Sequence, residues 1–246
     1  DRIIQLEKET GIRVLVGHHR RHSPFVQEAR SIVEEGFLGK LIAVSMFWAL
    51  LKPDDYYDVE WRRQRPGGGP ALINLVHELD TMRFICGEIH QVYAQASSAA
   101  RGLEVEDSLN ISISFENGAL GSVLASDATP SPWSYEATTH ENPYYFHTDE
   151  NCYYFFGTSG SLAFPQMHMW RYSNIDSSGW QYPIRRSRQV VARVDPLTTQ
   201  LEHFCNVIRG EEQPIADGRE GARSQAVVLA VLESIERQTP VVLSMS

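Results

Sequence analysis

Three cysteines, Cys86, Cys152 and Cys205, are the only thiols in 246 residues. They are far apart and odd in number. No disulfide framework and no zinc-ligand spacing can be read from them, which suits a reducing cytoplasm. Apolar runs stop short of the length that crosses a bilayer, and the N-terminus carries no signal-peptide pattern. Positive charge is also scarce: 22 Lys and Arg stand against 31 Asp and Glu, for a net charge of −9. That balance leaves no basic face for a nucleic acid. The densest basic run, Arg185-Arg186-Ser187-Arg188, reads as a solvated strand edge. Low-complexity tracts are absent as well. With 42% hydrophobic and 22% charged residues, the composition is that of a globular chain with a sizeable core. There is no initiating Met, and the opening "DRIIQLEKETG" reads as the middle of a longer protein.

What is present begins with a helical pattern over residues 2–10, stopped by Gly11. Arg13 to Gly17, "RVLVG", has the look of a short buried parallel strand. Ser23-Pro24 starts a helix whose stripe is Phe25, Val26, Ala29, Ile32 and Val33, ended by Gly36 and Gly39. The texture then changes to strands. Residues 41–50 favour one. Leu109, Ile111, Ile113 and Phe115 alternate with polar residues, Asn117-Gly118 supplies a hairpin turn, and "ALGSVLAS" returns. Further strands are expected at 90–97, 134–139, 152–156, 161–164, 167–172 and 188–194. A helix from Asp195-Pro196 carries Leu197, Leu201, Phe204, Cys205 and Ile208, with Cys205 read as a core residue. A last helix covers about 219–237.

Strands joined by turns without intervening helices make an antiparallel sheet. The expected fold is α+β: a large, mostly antiparallel open sheet with helices on one face and the other face left for a partner subunit. The helix–strand pair at the start, residues 1–23, reads as the remnant of a different domain, and residues 24–246 as the main one. The polar-aromatic stretch 128–150, with His140, Tyr144, Tyr145, Phe146 and His147, reads as a functional loop.

One block concentrates the chemistry: Gly67 to Asp80, "GGGPALINLVHELD". Its glycines lack G-x-G-x-x-G spacing, and the charged segment before them is no buried strand, so they do not form a dinucleotide cradle. With Pro70 they form a turn into a helix. On that helix Asn74, His77 and Asp80 are three apart and share one side. His77 is a candidate proton acceptor, since imidazole titrates near neutral pH. His18, His19 and His22 cluster in sequence, and His77 could join them on a metal. However, H-H-x-x-H is not a zincin pattern, and Arg20 and Arg21 would oppose a cation, so no metal is expected.

Several segments together carry a resemblance: "HHRRHSPFVQEARSIVEEGFLGKL", "EWRRQRPGGGPALINLVHELDTMRFICGE", "FENGALGS", "FFGTSGSLAF" and "DGREGARS". In this order and over nearly the whole chain they resemble the glucose–fructose oxidoreductase / inositol dehydrogenase / MocA family. The resemblance implies an NAD- or NADP-dependent hydride transfer at a hydroxyl-bearing carbon of a sugar, polyol or related compound. It also implies an N-terminal Rossmann domain, here reduced to residues 1–23, and a C-terminal domain that makes a homodimer or homotetramer through the open sheet.

Carried over to this chain, His77 is the catalytic acid/base. Asn74 and His77 contact substrate, joined by Tyr144 and His147 from the aromatic loop. Arg21, Trp61 and Arg62 line the cofactor-facing cleft, with a structural salt bridge as the alternative role for each arginine. Asp80 supports the helix or the histidine. Two departures stand out. The family's E-K-P segment is absent, and Glu7-Lys8-Glu9 does not replace it. The aspartate that many members place four residues before the histidine is Ile73 here, with an amide, Asn74, one residue later. That departure supports a second reading, a non-catalytic sensor on the same fold. A metal-dependent lyase or isomerase is a third.

Overall fold

The computed structural model describes residues 2–243. In chain order, α1 is Arg2–Thr10, a 3-10 turn spans His19–His22, and α2 is Pro24–Glu34. β1 is Leu41–Ala49, followed by 3-10 turns at Asp54–Asp58 and Glu60–Arg63. α3 is Pro70–Ile73, α4 Leu75–Cys86, β2 Ile89–Ser97, β3 Ser108–Phe115 and β4 Leu120–Ser126. Then come α5 (Tyr135–Thr139), β5 (Tyr153–Gly157), β6 (Ser161–Phe164), β7 (His168–Arg171) and β8 (Arg185–Arg188). α6 (Pro196–Arg209), α7 (Gly218–Arg237) and β9 (Val241–Val242) close the chain.

Among the described residues nine strands form one open sheet in the order β8-β7-β6-β5-β1-β4-β3-β2-β9. Every neighbouring pair is antiparallel except β1 with β4. The alternation read at 109–115 is visible in β3, where Leu109, Ile111, Ile113 and Phe115 are buried. The hairpin to β4 turns at Asn117-Gly118, with Gly118 at φ +85°. The helices cover the inner face: α2 packs on α4, α4 on α7, and α7 on β2. Trp48, Tyr153, Phe155 and Phe164 are sealed between the layers. Each contributes about 1.5–3 kcal/mol by burial.

The outer face is uncovered. Register places Phe156, Ala43 and Leu120 in one cross-strand row, and Phe47 beside Leu124 in another. Phe156, Leu120 and Leu124 are exposed there. The mostly antiparallel sheet with helices on one face agrees with the sequence reading.

Local expectations were corrected in five places. Arg13 to Gly17 is not a strand, because no described strand pairs with it; its ties are Val16 N–H to the Ala216 carbonyl and Val14 N–H to Glu7 Oε1. Residues 134–139 form α5, because the Ser134 hydroxyl accepts from Ala137 N–H and starts a helical turn. The expected strand at 188–194 is displaced: β8 is the basic run Arg185–Arg188, exposed as a strand edge should be, and beyond it Gln189 N–H still donates to the Met167 carbonyl at 2.9 Å. The single helix after the glycines is broken at Asn74, which separates α3 from α4. The stripe on α6 is not core: Leu197, Leu201 and Ile208 are exposed and Cys205 is half-buried. That helix packs mainly on the His19–His22 turn, which is too small to cover it. No helix among the described residues is long and apolar enough to cross a membrane.

Candidate active site

The site forms where the parallel pair β1 and β4 ends and the glycine turn brings in α3 and α4. The glycines are required by protein packing. A Cβ on Gly68 would meet the Arg62 carbonyl oxygen at 2.6 Å, and one on Gly69, at φ +88°, would run into the Glu106 carboxylate. Glu106 Oε1 in turn accepts from Ala71 N–H at 3.0 Å, which ties down the start of α3. Close packing against Arg62 and Glu106 thus accounts for glycine at 68 and 69.

His77 lies on the first turn of α4 and is half-buried. Its Nδ1 is sealed from solvent without a partner, whereas Nε2 is not sealed and makes no hydrogen bond among the described residues. The rings of His19 and His18 stand edge-on to it, with centroids 5.6 and 6.4 Å away. Burial, then the charge of Arg20 and the neighbouring histidines, lowers the His77 pKa from 6.5 to about 3. Burial and Arg20 likewise lower His19 to about 4. His77 is therefore a neutral imidazole near pH 7, able to accept a proton or share one.

Asn74 lies at the break one turn earlier, where its backbone carbonyl accepts from His77 N–H at 3.1 Å. Its Oδ1 accepts from Lys52 Nζ at 2.8 Å. Lys52 also approaches Asp127 Oδ2 at 3.3 Å, and Asp127 accepts from the Tyr57 hydroxyl at 2.5 Å. Asp80 does not join His77. It is gripped by Arg21 and accepts from the Ser224 hydroxyl at 2.6 Å, with His18 Nδ1 3.5 Å away. Beneath the helix Arg20 is paired with Glu78 at 2.6 Å and Glu136 at 2.7 Å, and its guanidinium lies 3.9 Å from the Tyr135 ring centroid. The Tyr153 hydroxyl donates to Glu78. Burial raises the Glu78 carboxyl, and Arg20 offsets part of that rise.

The remaining candidates fall in different places. Arg21 spends its donors on Asp80, Glu220 and the Ile215 carbonyl, which is the salt-bridge role. Arg62 donates to the Tyr56 carbonyl and lies 4.2 Å over the Tyr56 ring, while Trp61 is exposed beside it. Tyr144 is 95% exposed. His147 stacks on His140 at 4.5 Å. Tyr145, next to Tyr144 in the chain, is less exposed, at 37%, and lies within electrostatic reach of Glu136, Tyr56 and Arg20. Tyr145 N–H donates to the Asn142 carbonyl at 3.3 Å, closing a turn there. Sequence reasoning passed over Lys52, Asp127 and Glu78, and from the loop it singled out Tyr144 rather than Tyr145. A lone lysine between an apolar strand and Pro53 was the available signal for the first. Among the described residues, no three His, Cys, Asp or Glu side chains form a group that could hold a metal ion.

The family model described as "Oxidoreductase family, C-terminal alpha/beta domain" matches residues 30–243. The 1,5-anhydro-D-fructose reductase of Ensifer adhaerens is 27% identical over 231 residues, covering 92% of this chain and 63% of the relative. The scyllo-inositol 2-dehydrogenase (NAD(+)) of Bacillus subtilis (strain 168) is 23% identical, covering 96% of this chain and 64% of the relative. The chain thus spans less than two thirds of the length of these relatives. Among solved structures, the WlbA dehydrogenase from Bordetella pertussis, in complex with NADH and UDP-GlcNAcA, superposes with a TM-score of 0.75 at 20% identity. That likeness covers 99% of this chain and 67% of that one and reports on the fold. The glycine turn leading to His77, the one-sided open sheet and the family match over residues 30–243 agree: the chain belongs to the glucose–fructose oxidoreductase / inositol dehydrogenase / MocA oxidoreductase family and carries its C-terminal α/β domain.

Proposed function

We propose that this chain is the substrate-binding and assembly part of an NAD- or NADP-dependent oxidoreductase acting at a hydroxyl-bearing carbon of a sugar, polyol or related compound. The observation that carries the reading is His77: an imidazole with Nε2 open and Nδ1 sealed, with Asn74 one turn away, and its lowered pKa agrees with a neutral ring. Nicotinamide, when bound, supplies the acceptor or donor of hydride. In oxidation, His77 Nε2 takes the carbinol proton as hydride leaves the same carbon. Loss of hydride turns that oxygen into a protonated carbonyl, which is strongly acidic, so a weak base suffices. In reduction the same nitrogen returns the proton. Asn74 positions a substrate oxygen.

The residues present fit the substrate side of such a site, and the glycine turn does not fit the nucleotide phosphates. These are assigned to chain outside the 246 residues, with residues 1–23 belonging to that domain and 24–246 to the substrate domain. The exposed face of α1 and the start of the family match at residue 30 support this division. Trp61 and Arg62 remain candidates for the cofactor-facing rim, while Arg21 acts through Asp80. His147 with Tyr144 and Tyr145 borders the substrate. The apolar outer sheet supports a homodimer or homotetramer, and the three free cysteines support a cytoplasmic location.

The test is His77→Asn in the protein at its natural length, assayed on a sugar and polyol panel by nicotinamide absorbance. Turnover should fall about 10²–10⁴-fold with nucleotide affinity kept. Undiminished turnover in the variant would sink the assignment.

A further inference from the structure

Lys52 is one of only three lysines in the chain and is 7% exposed. Its backbone is fixed from two sides: its N–H donates to the Asp127 carbonyl at 2.9 Å, and its carbonyl accepts from Arg101 Nη2 at 2.8 Å. The ammonium sits 5.4 and 4.5 Å from the ring centroids of Trp48 and Tyr56. Its polar contacts are Asp127 Oδ2 and Asn74 Oδ1. An ammonium only donates. The side of Asn74 that meets it must therefore be the carbonyl oxygen, which removes the usual ambiguity of an amide's orientation. The amide nitrogen is left facing away, and it finds no acceptor among the described residues.

We infer that Lys52 is a specificity-determining residue of the site proposed above: by holding Asn74 Oδ1 it presents only N–H donors to the substrate, which must offer an oxygen acceptor there and is refused if it offers a cation. The charge balance around the amide points the same way. Lys52, Arg62 and Arg101 gather about Tyr56 and Tyr57, with the guanidinium of Arg101 4.6 Å over the Tyr57 ring. Asp127 is the sealed carboxylate that Lys52 and Arg101 share, and the exposed Asp54 lies 3.6 Å from Arg101 at the solvent edge. A carboxylate or carbonyl oxygen next to the reacting carbon suits this corner best, a hydroxyl is accepted through its lone pairs, and an ammonium meets both the wrong hydrogen-bond sense and like charge. The inference rests on the oxidoreductase reading for its substrate class.

Three probes that differ at one carbon test it: D-gluconate, D-glucitol and D-glucamine. Binding is titrated on the protein at natural length with nicotinamide nucleotide present, and turnover is followed on the same samples. The wild type should prefer gluconate to glucamine by about tenfold or more. Lys52→Met should shrink that ratio about tenfold, acting on KM more than on kcat, and Lys52→Arg, which keeps a donor, should restore it. Asn74→Asp keeps the contact to Lys52 but loses the donor, and should weaken gluconate binding. It also serves if Lys52→Met fails to fold.

An unchanged ratio in Lys52→Met, undiminished gluconate binding in Asn74→Asp, or no binding of any probe to the wild type would overturn the inference. Binding with the expected order but no nicotinamide absorbance change would instead count against the oxidoreductase reading and leave the role of Lys52 standing.

Discussion

Arg21 grips Asp80 with two nitrogens, Nε at 3.1 Å and Nη2 at 2.7 Å, and both side chains are almost wholly buried. The pair is reinforced by Glu220, which takes a further Arg21 N–H at 3.0 Å, and by Arg83, 3.9 Å from the same carboxylate. It fastens the His19–His22 turn to α4 and α7, and so fixes His77 one turn before Asp80. Burial alone would raise the Asp80 carboxyl. The hydrogen bonds and charge of Arg21 hold it below the usual range instead. Arg21→Met strands that carboxylate and should cost about 3–5 kcal/mol, read from urea unfolding, with the lower end set by Arg83 and Ser224. Arg21→Lys cannot make the two-nitrogen grip and should fall between. A loss below about 1 kcal/mol would show that the pair does not hold the turn.

Acid should weaken the fold in a window set by the histidines. His77 titrates at about 3 and His19 at about 4 when folded, against 6.5 unfolded. His18 and His22 are lowered as well, by burial first. For a base with a depressed folded pKa, the unfolded chain binds protons first. Its contribution is complete above pH 6.5 and disappears as pH falls from there towards the folded value. Asp80 and Glu220, which are lowered from the ordinary carboxylate values, act only further into acid. Thermal unfolding should therefore drop between pH 6.5 and 4, and His77→Gln should flatten that slope. Equal slopes in the two proteins would count against a neutral buried His77.

Two glycines in the left-handed region should respond differently to alanine. Gly118, at φ +85°, has open space where a Cβ would go. Gly118→Ala should cost about 1–2 kcal/mol from the backbone alone. Gly69, at φ +88°, has the Glu106 carboxylate in that space. Gly69→Ala should cost distinctly more and raise the substrate KM, because Glu106 anchors the start of α3 and thereby places Asn74. Chemical denaturation of both variants, with kinetics on Gly69→Ala, checks the contrast.

The outer sheet face should mediate assembly. Leu120 and Leu124 on β4 and Phe156 on β5 are exposed on the two strands that flank β1, whose Phe47 packs against Tyr154 of β5 at 6.3 Å. Leu124→Glu places a charge in the middle of this patch and should move the elution volume and light-scattering mass towards the monomer at micromolar protein. Its melting temperature should be affected only through lost association. An unchanged mass would locate the interface elsewhere.

The sequence by itself determined the elements whose causes are local. Alternation over 109–115 with Asn117-Gly118 specified the β3–β4 hairpin, because a period of two and a glycine turn need nothing beyond their neighbours. Gly36 and Gly210 follow the ends of α2 and α6 at positive φ, as their missing Cβ allows, whereas Gly39 lies beyond the helix end in the turn to β1. The order of the motifs was enough to resemble the family, and the Gly-Gly-Gly-Pro turn was enough to place His77 on a helix.

The tertiary structure alone decided who meets whom. Arg21 and Asp80 are 59 residues apart, and Lys52 and Asn74 are 22 apart. No spacing rule reaches across such distances. The Ser134 hydroxyl that caps α5 gives 134–139 a helical start that its residue pattern did not announce. Periodicity reports which side of an element is apolar. Which buried charges pair, and which way an amide points, follow from desolvation and hydrogen-bond satisfaction once the helix layer closes on the sheet.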